Sequence, residues 1–284
     1  MANIKLIKRR IKSAQNISQI TRAMEMVAAS KMKKAQLTAL NGKPYADKIA
    51  KAVKELAPKI DRHMYPLFSL GNPRGSKLII LISSNKGLCG GLNTNLYRFL
   101  HHWLTKEENL EFISIGKKGE YFVVKWHKKL LADFSEEPFT KSVPAVTNIL
   151  VTGFIQGVYR EVYLVYNNFI SALKQEPVRK KILPIETLEE VDVKEETKFS
   201  EFLLEPSPRE VLDNLLPHYL ENQVRTAIYE AEASEHSARM IAMKNATDAA
   251  FDLITDLTLQ YNKARQEKIT YEIADIVTAR LAVE

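Results

Sequence analysis

From His218 to the last residue, Glu284, the chain carries neither glycine nor proline, and neither occurs before Gly42. At a rise of about 1.5 Å per residue, an unbroken helix over the C-terminal stretch would be on the order of 100 Å long and the N-terminal one about 60 Å. Neither length fits inside one compact domain. Two such helices at opposite ends of one chain are expected to return to each other as a projecting antiparallel pair.

The spacing of apolar residues supports pairing. Ile4, Ile7, Ile11 and Ala14 step by 3, 4 and 3, and Ile17, Ile20, Met24 and Val27 repeat that rhythm. The step between the two sets is 3 where 4 is due, so a stammer is expected there, locally overwinding the supercoil. The pattern fades at Leu40-Asn41-Gly42, with Pro44 just beyond, which predicts a helix stop. A second amphipathic piece, from about Tyr45 to Ala57, ends before Pro58. Gly71-Asn72-Pro73-Arg74-Gly75-Ser76 reads as a linker.

The period then changes. Leu78-Ile79-Ile80-Leu81-Ile82 is a continuous apolar run, expected for a strand buried on both faces, and a helical stretch follows from about Asn93 to Leu104. Glu111–Ile115 and Val162–Tyr166 are further strand candidates, with Val178–Ile185 pairing beside the second. Helical stretches rich in Lys and aromatic residues separate them. Glu189–Glu201 is acidic and reads as a solvated connector. The return helix opens at Ser207-Pro208-Arg209-Glu210, a capping box with proline at the first helical position, and Pro217 is expected to kink or divide it. Further on, Leu253, Leu257, Tyr261 and Ala264, then Ile269, Ile273 and Ile276, recur at helical spacing. Ala227–Ala250 is dense in small residues that let a partner helix approach closely. The fold class is therefore α+β or α/β: a long antiparallel coiled coil of the terminal helices plus a small central α/β domain. Its segments are 1–58, 75–200 and 207–284.

Chemical motifs are sparse. Gly87-Leu88-Cys89-Gly90-Gly91 follows a strand and precedes a helix, but it matches neither G-x-G-x-x-G nor G-x-x-x-x-G-K-[ST], so a tight turn is favoured over a phosphate cradle. Cys89, the single cysteine, rules out an intramolecular disulfide and has no histidine near it in sequence, so it reads as a small, half-buried residue. The six histidines show no metal-ligand spacing. No catalytic constellation, cofactor site or metal site is expected. No apolar run is long enough to span a bilayer, and Met1-Ala2-Asn3-Ile4-Lys5 lacks the apolar core of a secretory signal, which favours a cytoplasmic site of action.

Charge is the sharper feature. The chain has a net charge of +7. Its first helix carries Lys5, Lys8, Arg9, Arg10, Lys12, Arg22, Lys31, Lys33 and Lys34 against the single acid Glu25. A sleeve of one sign points to a negative partner. Nucleic acid is one candidate, although stacking aromatics are missing from this segment; an acidic protein surface fits equally well.

Four blocks carry a resemblance to a known family. They are Ile20-Thr21-Arg22-Ala23-Met24-Glu25-Met26-Val27-Ala28-Ala29-Ser30-Lys31-Met32; Lys86-Gly87-Leu88-Cys89-Gly90-Gly91-Leu92-Asn93; Ser237-Ala238-Arg239-Met240-Ile241-Ala242-Met243-Lys244-Asn245-Ala246-Thr247-Asp248; and Tyr261-Asn262-Lys263-Ala264-Arg265-Gln266-Glu267-Lys268-Ile269-Thr270 continuing through Glu272 to Val277. In that order they resemble the F-type ATP synthase gamma subunit, and the similarity runs end to end.

The resemblance implies a rotor shaft that makes no bonds in ATP. The paired helices would lie in the cavity of the alpha and beta subunits, with the α/β body against epsilon and the c-ring. Proton flow through the ring would turn the shaft and drive ATP synthesis, or hydrolysis would turn it in reverse. On this reading Met24, Arg265, Gln266 and Thr270 contact the beta subunits, and the basic face meets acidic beta-subunit loops. The tip, Ile273–Val283, turns in an apolar collar, and the loop of Lys86, Gly87, Gly90 and Gly91 sits in the body near the lower shaft. The implied location is peripheral, on the cytoplasmic face of a bacterial inner membrane, with no nucleic acid bound.

Two departures stand out. Where the family usually has Asp-Arg before Gly87, this chain has Asn85-Lys86, and the common Gly-Ala near the end is replaced by Ala279-Arg280. The cysteine-bearing insertion of chloroplast relatives is missing, so thiol regulation is not expected. A coiled-coil adaptor binding nucleic acid or another anionic surface is the alternative from another class. An enzyme centred on Cys89 or the glycine loop is the third.

Overall fold

The computed structural model describes residues 4–56, 65–69, 71–105, 109–185 and 207–281. Two helices dominate the order of elements: α1 (Ile4–Leu56) and α5 (Pro208–Leu281). Between them lie β1 (Ser76–Ile82), α2 (Leu92–Leu104), β2 (Leu110–Ile115), α3 (Lys117–Lys125), β3 (Lys129–Asp133), α4 (Val143–Ile155), β4 (Tyr159–Phe169) and β5 (Gln175–Leu183). The chain divides into two compact units, residues 1–29 with 239–284, and residues 30–238.

The larger unit is built on a five-stranded sheet of order β3-β2-β1-β4-β5. β1 runs parallel to β2 and β4, β2 parallel to β3, and β5 antiparallel to β4. Every residue of β1 from Leu78 to Ile82 is essentially inaccessible. Because successive side chains point to opposite faces, Leu78, Ile80 and Ile82 enter one core and Ile79 and Leu81 the other. The first core is closed by α4 through Val143, Val146, Leu150 and Phe154, by α1 through Ile49 and Val53, and by α5 through Leu212, Leu216 and Leu220. Leu96, Leu100 and Leu104 of α2 and Phe122 and Val123 of α3 close the second. The three strand candidates and the β4–β5 pairing expected from sequence are all present. β3 is an addition to them.

At the start of α5 the expected cap is in place. The Glu210 N–H donates to Ser207 Oγ at 3.3 Å, and Val211 N–H to the Ser207 carbonyl at 3.1 Å. The Glu210 carboxylate accepts from the Ser207 hydroxyl, at 3.3 Å, instead of from its backbone N–H. Pro217 does not divide α5, which continues through it.

The expected stop near Gly42 is absent, because α1 passes through Gly42 and Pro44 as one helix. A proline inside a helix costs about 3 kcal/mol, whereas Ile49, Val53 and Leu56 are all buried in the core beyond it. Burying three such side chains is worth roughly 1.5–3 kcal/mol each, enough to outweigh the local breakers. Glu189–Glu201 and Pro58 lie outside the described residues.

Candidate functional site

In the smaller unit α1 and α5 pair through a narrow seam. Ile7 packs with Leu257 and Ala264, flanked by Ile4, Ile11 and Tyr261. Further along α1, Thr21 Oγ1 lies 2.7 Å from Thr247 Oγ1. Advancing along α1 retreats along α5, so the helices are antiparallel, as expected.

The seam follows a different line from the one its apolar residues suggest. Beyond Ala14, the buried positions of α1 are Ser18, Thr21 and Ala28, with Glu25 partly covered, while Ile17, Ile20 and Val27 are more than half exposed. The spacing Ile7, Ile11, Ala14, Ser18, Thr21, Glu25, Ala28 alternates 4 and 3 without a break, so there is no stammer. On α5 the matching stripe is Met243, Thr247, Ala250, Ile254, Leu257, Tyr261 and Ala264, and Leu253 faces solvent. Around Ser18, Thr21, Ala28, Thr247 and Ala250 the seam is lined by small side chains, whereas toward Ile7 and Leu257 it is large and apolar.

This choice turns apolar surface outward. Ile17, Ile20, Met26 and Val27 on α1, and Ile269, Ile273, Ile276 and Val277 on α5, are exposed large hydrophobic residues. All of residues 265–280 are exposed. Arg265, Gln266 and Thr270 belong to that stretch; Thr270 Oγ1 donates to the Gln266 carbonyl at 3.0 Å, and Met24 is partly covered. The nine basic residues Lys5, Lys8, Arg9, Arg10, Lys12, Arg22, Lys31, Lys33 and Lys34 are all exposed.

The glycine loop after β1 belongs to the larger unit and closes on itself. Asn93 Nδ2 donates to Ser84 Oγ at 2.7 Å and approaches Cys89 Sγ at 3.4 Å, while Ser84 Oγ donates to the Lys86 carbonyl at 2.9 Å. Leu88 and Gly90 both take left-handed backbone angles, φ of 62° and 59°. Only Gly90 of the three loop glycines therefore needs glycine for its conformation; Gly87 has open space where a Cβ would stand. Lys86, Gly87, Gly90 and Gly91 are exposed, whereas Cys89 is fully buried instead of half-buried.

Several polar links carry no signal in the sequence. On α5, Glu230 accepts from Tyr166 Oη at 2.7 Å, Ser234 Oγ donates to the Asn167 carbonyl at 2.9 Å, and Ser237 Oγ to the Ala172 carbonyl. These fasten α5 to the β4–β5 hairpin. Burial and the Glu230 carboxylate push the Tyr166 phenol well above its ordinary range. Nearby on α5, burial pushes the Glu232 carboxyl up to about 7, helped by the negative charges of Glu235 and Glu137 and opposed by Lys31. Across β1, β4 and β5, Glu161 bridges Lys77 at 3.2 Å and Lys181 at 3.3 Å. Burial raises the Glu161 carboxyl, but the two ammonium groups more than offset it and hold it below the usual range. Among the described residues no group of three or more His, Cys, Asp and Glu is placed to hold a metal, and no helix is long and apolar enough to cross a membrane.

The chain thus combines a five-stranded α/β sheet in mid-chain with terminal helices that pair antiparallel. The ATP synthase family profile matches residues 3–283. The ATP synthase gamma chain of Akkermansia muciniphila is 40% identical over the whole of both chains, and that of Roseiflexus sp. 38% identical over 100% of this chain and 99% of the relative. Among solved structures, a central-stalk chain of the Tetrahymena thermophila mitochondrial ATP synthase is 26% identical, with a TM-score of 0.59, covering 80% of this chain and 99% of that one. A rotor chain of the Euglena gracilis mitochondrial enzyme shares the fold, with a TM-score of 0.65 at 21% identity, covering 94% of this chain and 98% of that one. The chain belongs to the ATP synthase gamma chain family.

Proposed function

We propose that this chain is the noncatalytic central shaft of a proton-translocating ATP synthase, coupling rotation of the c-ring to synthesis or hydrolysis of ATP on the alpha and beta subunits. The observation that carries the reading is the seam. By packing Ser18, Thr21 and Ala28 inward, the paired helices leave Ile17, Ile20 and Val27 facing outward, alongside a basic face with almost no acid. Apolar contact has little directionality, so it supports turning against a surrounding wall; spaced charges add orientation-dependent terms. Rotation drives chemistry only if shaft angle changes the relative free energies of the beta-subunit conformations.

Within this reading Met24, Arg265, Gln266 and Thr270 make the polar and van der Waals contacts to the beta subunits. The nine basic residues face acidic beta-subunit loops. The segments 1–58 and 207–284 carry torque, and 75–200, with the loop at Lys86, Gly87, Gly90 and Gly91, docks epsilon and the c-ring. The α5 fastenings at Glu230, Ser234 and Ser237 support torque transfer, since they join the helix to the sheet by side-chain bonds. The complex places the chain peripherally at the cytoplasmic face of a bacterial inner membrane.

The test is reconstitution with the cognate alpha and beta subunits. A stable three-to-three-to-one complex whose ATPase activity depends on this chain is the expected result. Failure to assemble with well-folded partners, together with tight and salt-sensitive DNA binding by the isolated chain, would favour an adaptor instead.

A further inference from the structure

We propose that Thr21 and Thr247 form a register pin, a positioning pair that holds α1 and α5 at one axial and rotational setting. Their hydroxyl oxygens lie 2.7 Å apart, and the two residues are 9% and 5% exposed. Thr21 Oγ1 is also 3.1 Å from the Ser18 carbonyl, and Thr247 Oγ1 is 2.9 Å from the Met243 carbonyl. Two hydroxyl protons serve three contacts, so one contact receives none. Whichever hydroxyl donates across the seam, the other donates to its own local carbonyl, that of Ser18 or Met243, so the donors form one continuous chain. A continuous chain of donors of this kind crosses the seam only when the two threonines are level.

The neighbouring seam residues discriminate poorly. Ala14, Ser18 and Ala28 on α1 and Ala250 on α5 are small and fit one another at several offsets, and the buried Met243 is unbranched and adaptable. A buried polar pair in an otherwise permissive seam is the device by which helical pairs fix alignment. Slippage leaves each hydroxyl only its local carbonyl and forfeits the cross-helix bond. One such bond shifts the balance between registers by about fivefold. The consequence for torque rests on the proposed shaft function; the pin itself is tested without a motor.

The experiment uses the full chain with Cys89→Ala, spin labels at Gln19→Cys and Ala249→Cys, both exposed, and pulsed dipolar distance measurement. One narrow distance is expected for the native pair and for Thr21→Ser/Thr247→Ser. In Thr21→Val/Thr247→Val, which keeps shape and removes both hydroxyls, a second distance is expected, its share raised about fivefold. A valine-pair distribution that superimposes on the native one overturns the proposal. Should the valine pair not fold, Thr21→Ala alone is read by the same two outcomes. A second distance in the valine pair, beside a native chain that fails to assemble with alpha and beta subunits, leaves the pin standing and removes the shaft.

Discussion

Asn85 donates from Nδ2 to the Glu137 carboxylate at 3.3 Å and to the Ser135 carbonyl at 2.8 Å, while its Oδ1 accepts from the Lys117 N–H at 3.0 Å. The Lys117 N–H needs an acceptor, which fixes the amide orientation. With two acceptors on its Nδ2 side and one N–H donor on its Oδ1 side, this environment is suited to an amide. Asn85→Asp would set a carboxylate beside Glu137 and remove the donor to Ser135. A loss of about 1–3 kcal/mol is expected at pH 7.5, shrinking as pH falls through the ordinary carboxylate range. Adding Glu137→Gln to the Asn85→Asp variant should restore part of it. Thermal melts of the parent, the single and the double variant check this, and an unchanged Tm for Asn85→Asp at pH 7.5 would sink it.

Glu232 predicts a pH dependence of the same direction in the parent chain itself. Folded, it holds its proton up to about pH 7; the unfolded chain releases it near the ordinary value of 4.5. Between these values the folded state binds more protons, so stability falls as pH rises. The contribution is fully present below about 4.5 and gone above about 7. The gap sets an upper bound of roughly 3 kcal/mol, reduced by partial exposure. Glu232→Gln, which mimics the protonated form, should match the parent at pH 5 and melt higher at pH 8. Parallel melting curves for both chains at the two pH values would refute it.

How much of this is legible in the sequence depends on where the free energy lies. The strand at Leu78–Ile82 is readable because double-sided burial demands uninterrupted apolar residues, and those at Glu111–Ile115 and Val162–Tyr166 because aliphatic and aromatic residues dominate them. β3, Lys129–Asp133, alternates exposed and partly covered positions and carries charge at both ends, as an edge strand does, so no apolar run announces it. The helix through Pro44 is hidden because local signals say stop and tertiary packing at Ile49 and Val53 says continue. The seam departs from the apolar pattern beyond Ala14 for a related reason: apolarity marks what avoids water, yet close helix approach selects small side chains. The basic face is plain in sequence. The cluster of Glu232, Glu235 and Glu137 is invisible there, because the fold alone brings Glu137 to α5.

Ser234 and Ser237 test how α5 is fastened. Both are inaccessible to solvent, and each donates to a backbone carbonyl of the β4–β5 hairpin or its turn. Ser234→Ala leaves the carbonyl of the buried Asn167 short of this donor, at a cost of about 1–2 kcal/mol, and Ser237→Ala costs less, because Gln175 Nε2 still donates to the Ala172 carbonyl at 3.1 Å. Amide exchange at residues 167–175 should accelerate in both variants, and more in the double variant. Unaltered protection of the hairpin would show that apolar packing alone holds it.

The C-terminal end separates fold from function. Every residue from 265 to 280 is exposed, so removing the stretch after Thr270 takes no side chain out of either core of the larger unit. The melting temperature of that unit should stay within about a degree or two, because exposed substitutions and deletions away from packed features change stability by no more than about 0.5 kcal/mol. What is lost is the outward surface of Ile273, Ile276 and Val277, together with the charge of Arg280. In the reconstituted complex the truncated chain is therefore expected to assemble and support ATP hydrolysis with lower torque, measured from the drag on an actin filament or bead. Cys89 is buried, so the probe needs an engineered cysteine. Full torque after truncation would move the coupling contacts down the helices toward Met24, Arg265 and Gln266, and a collapse of the body's melting transition would contradict the exposure pattern itself.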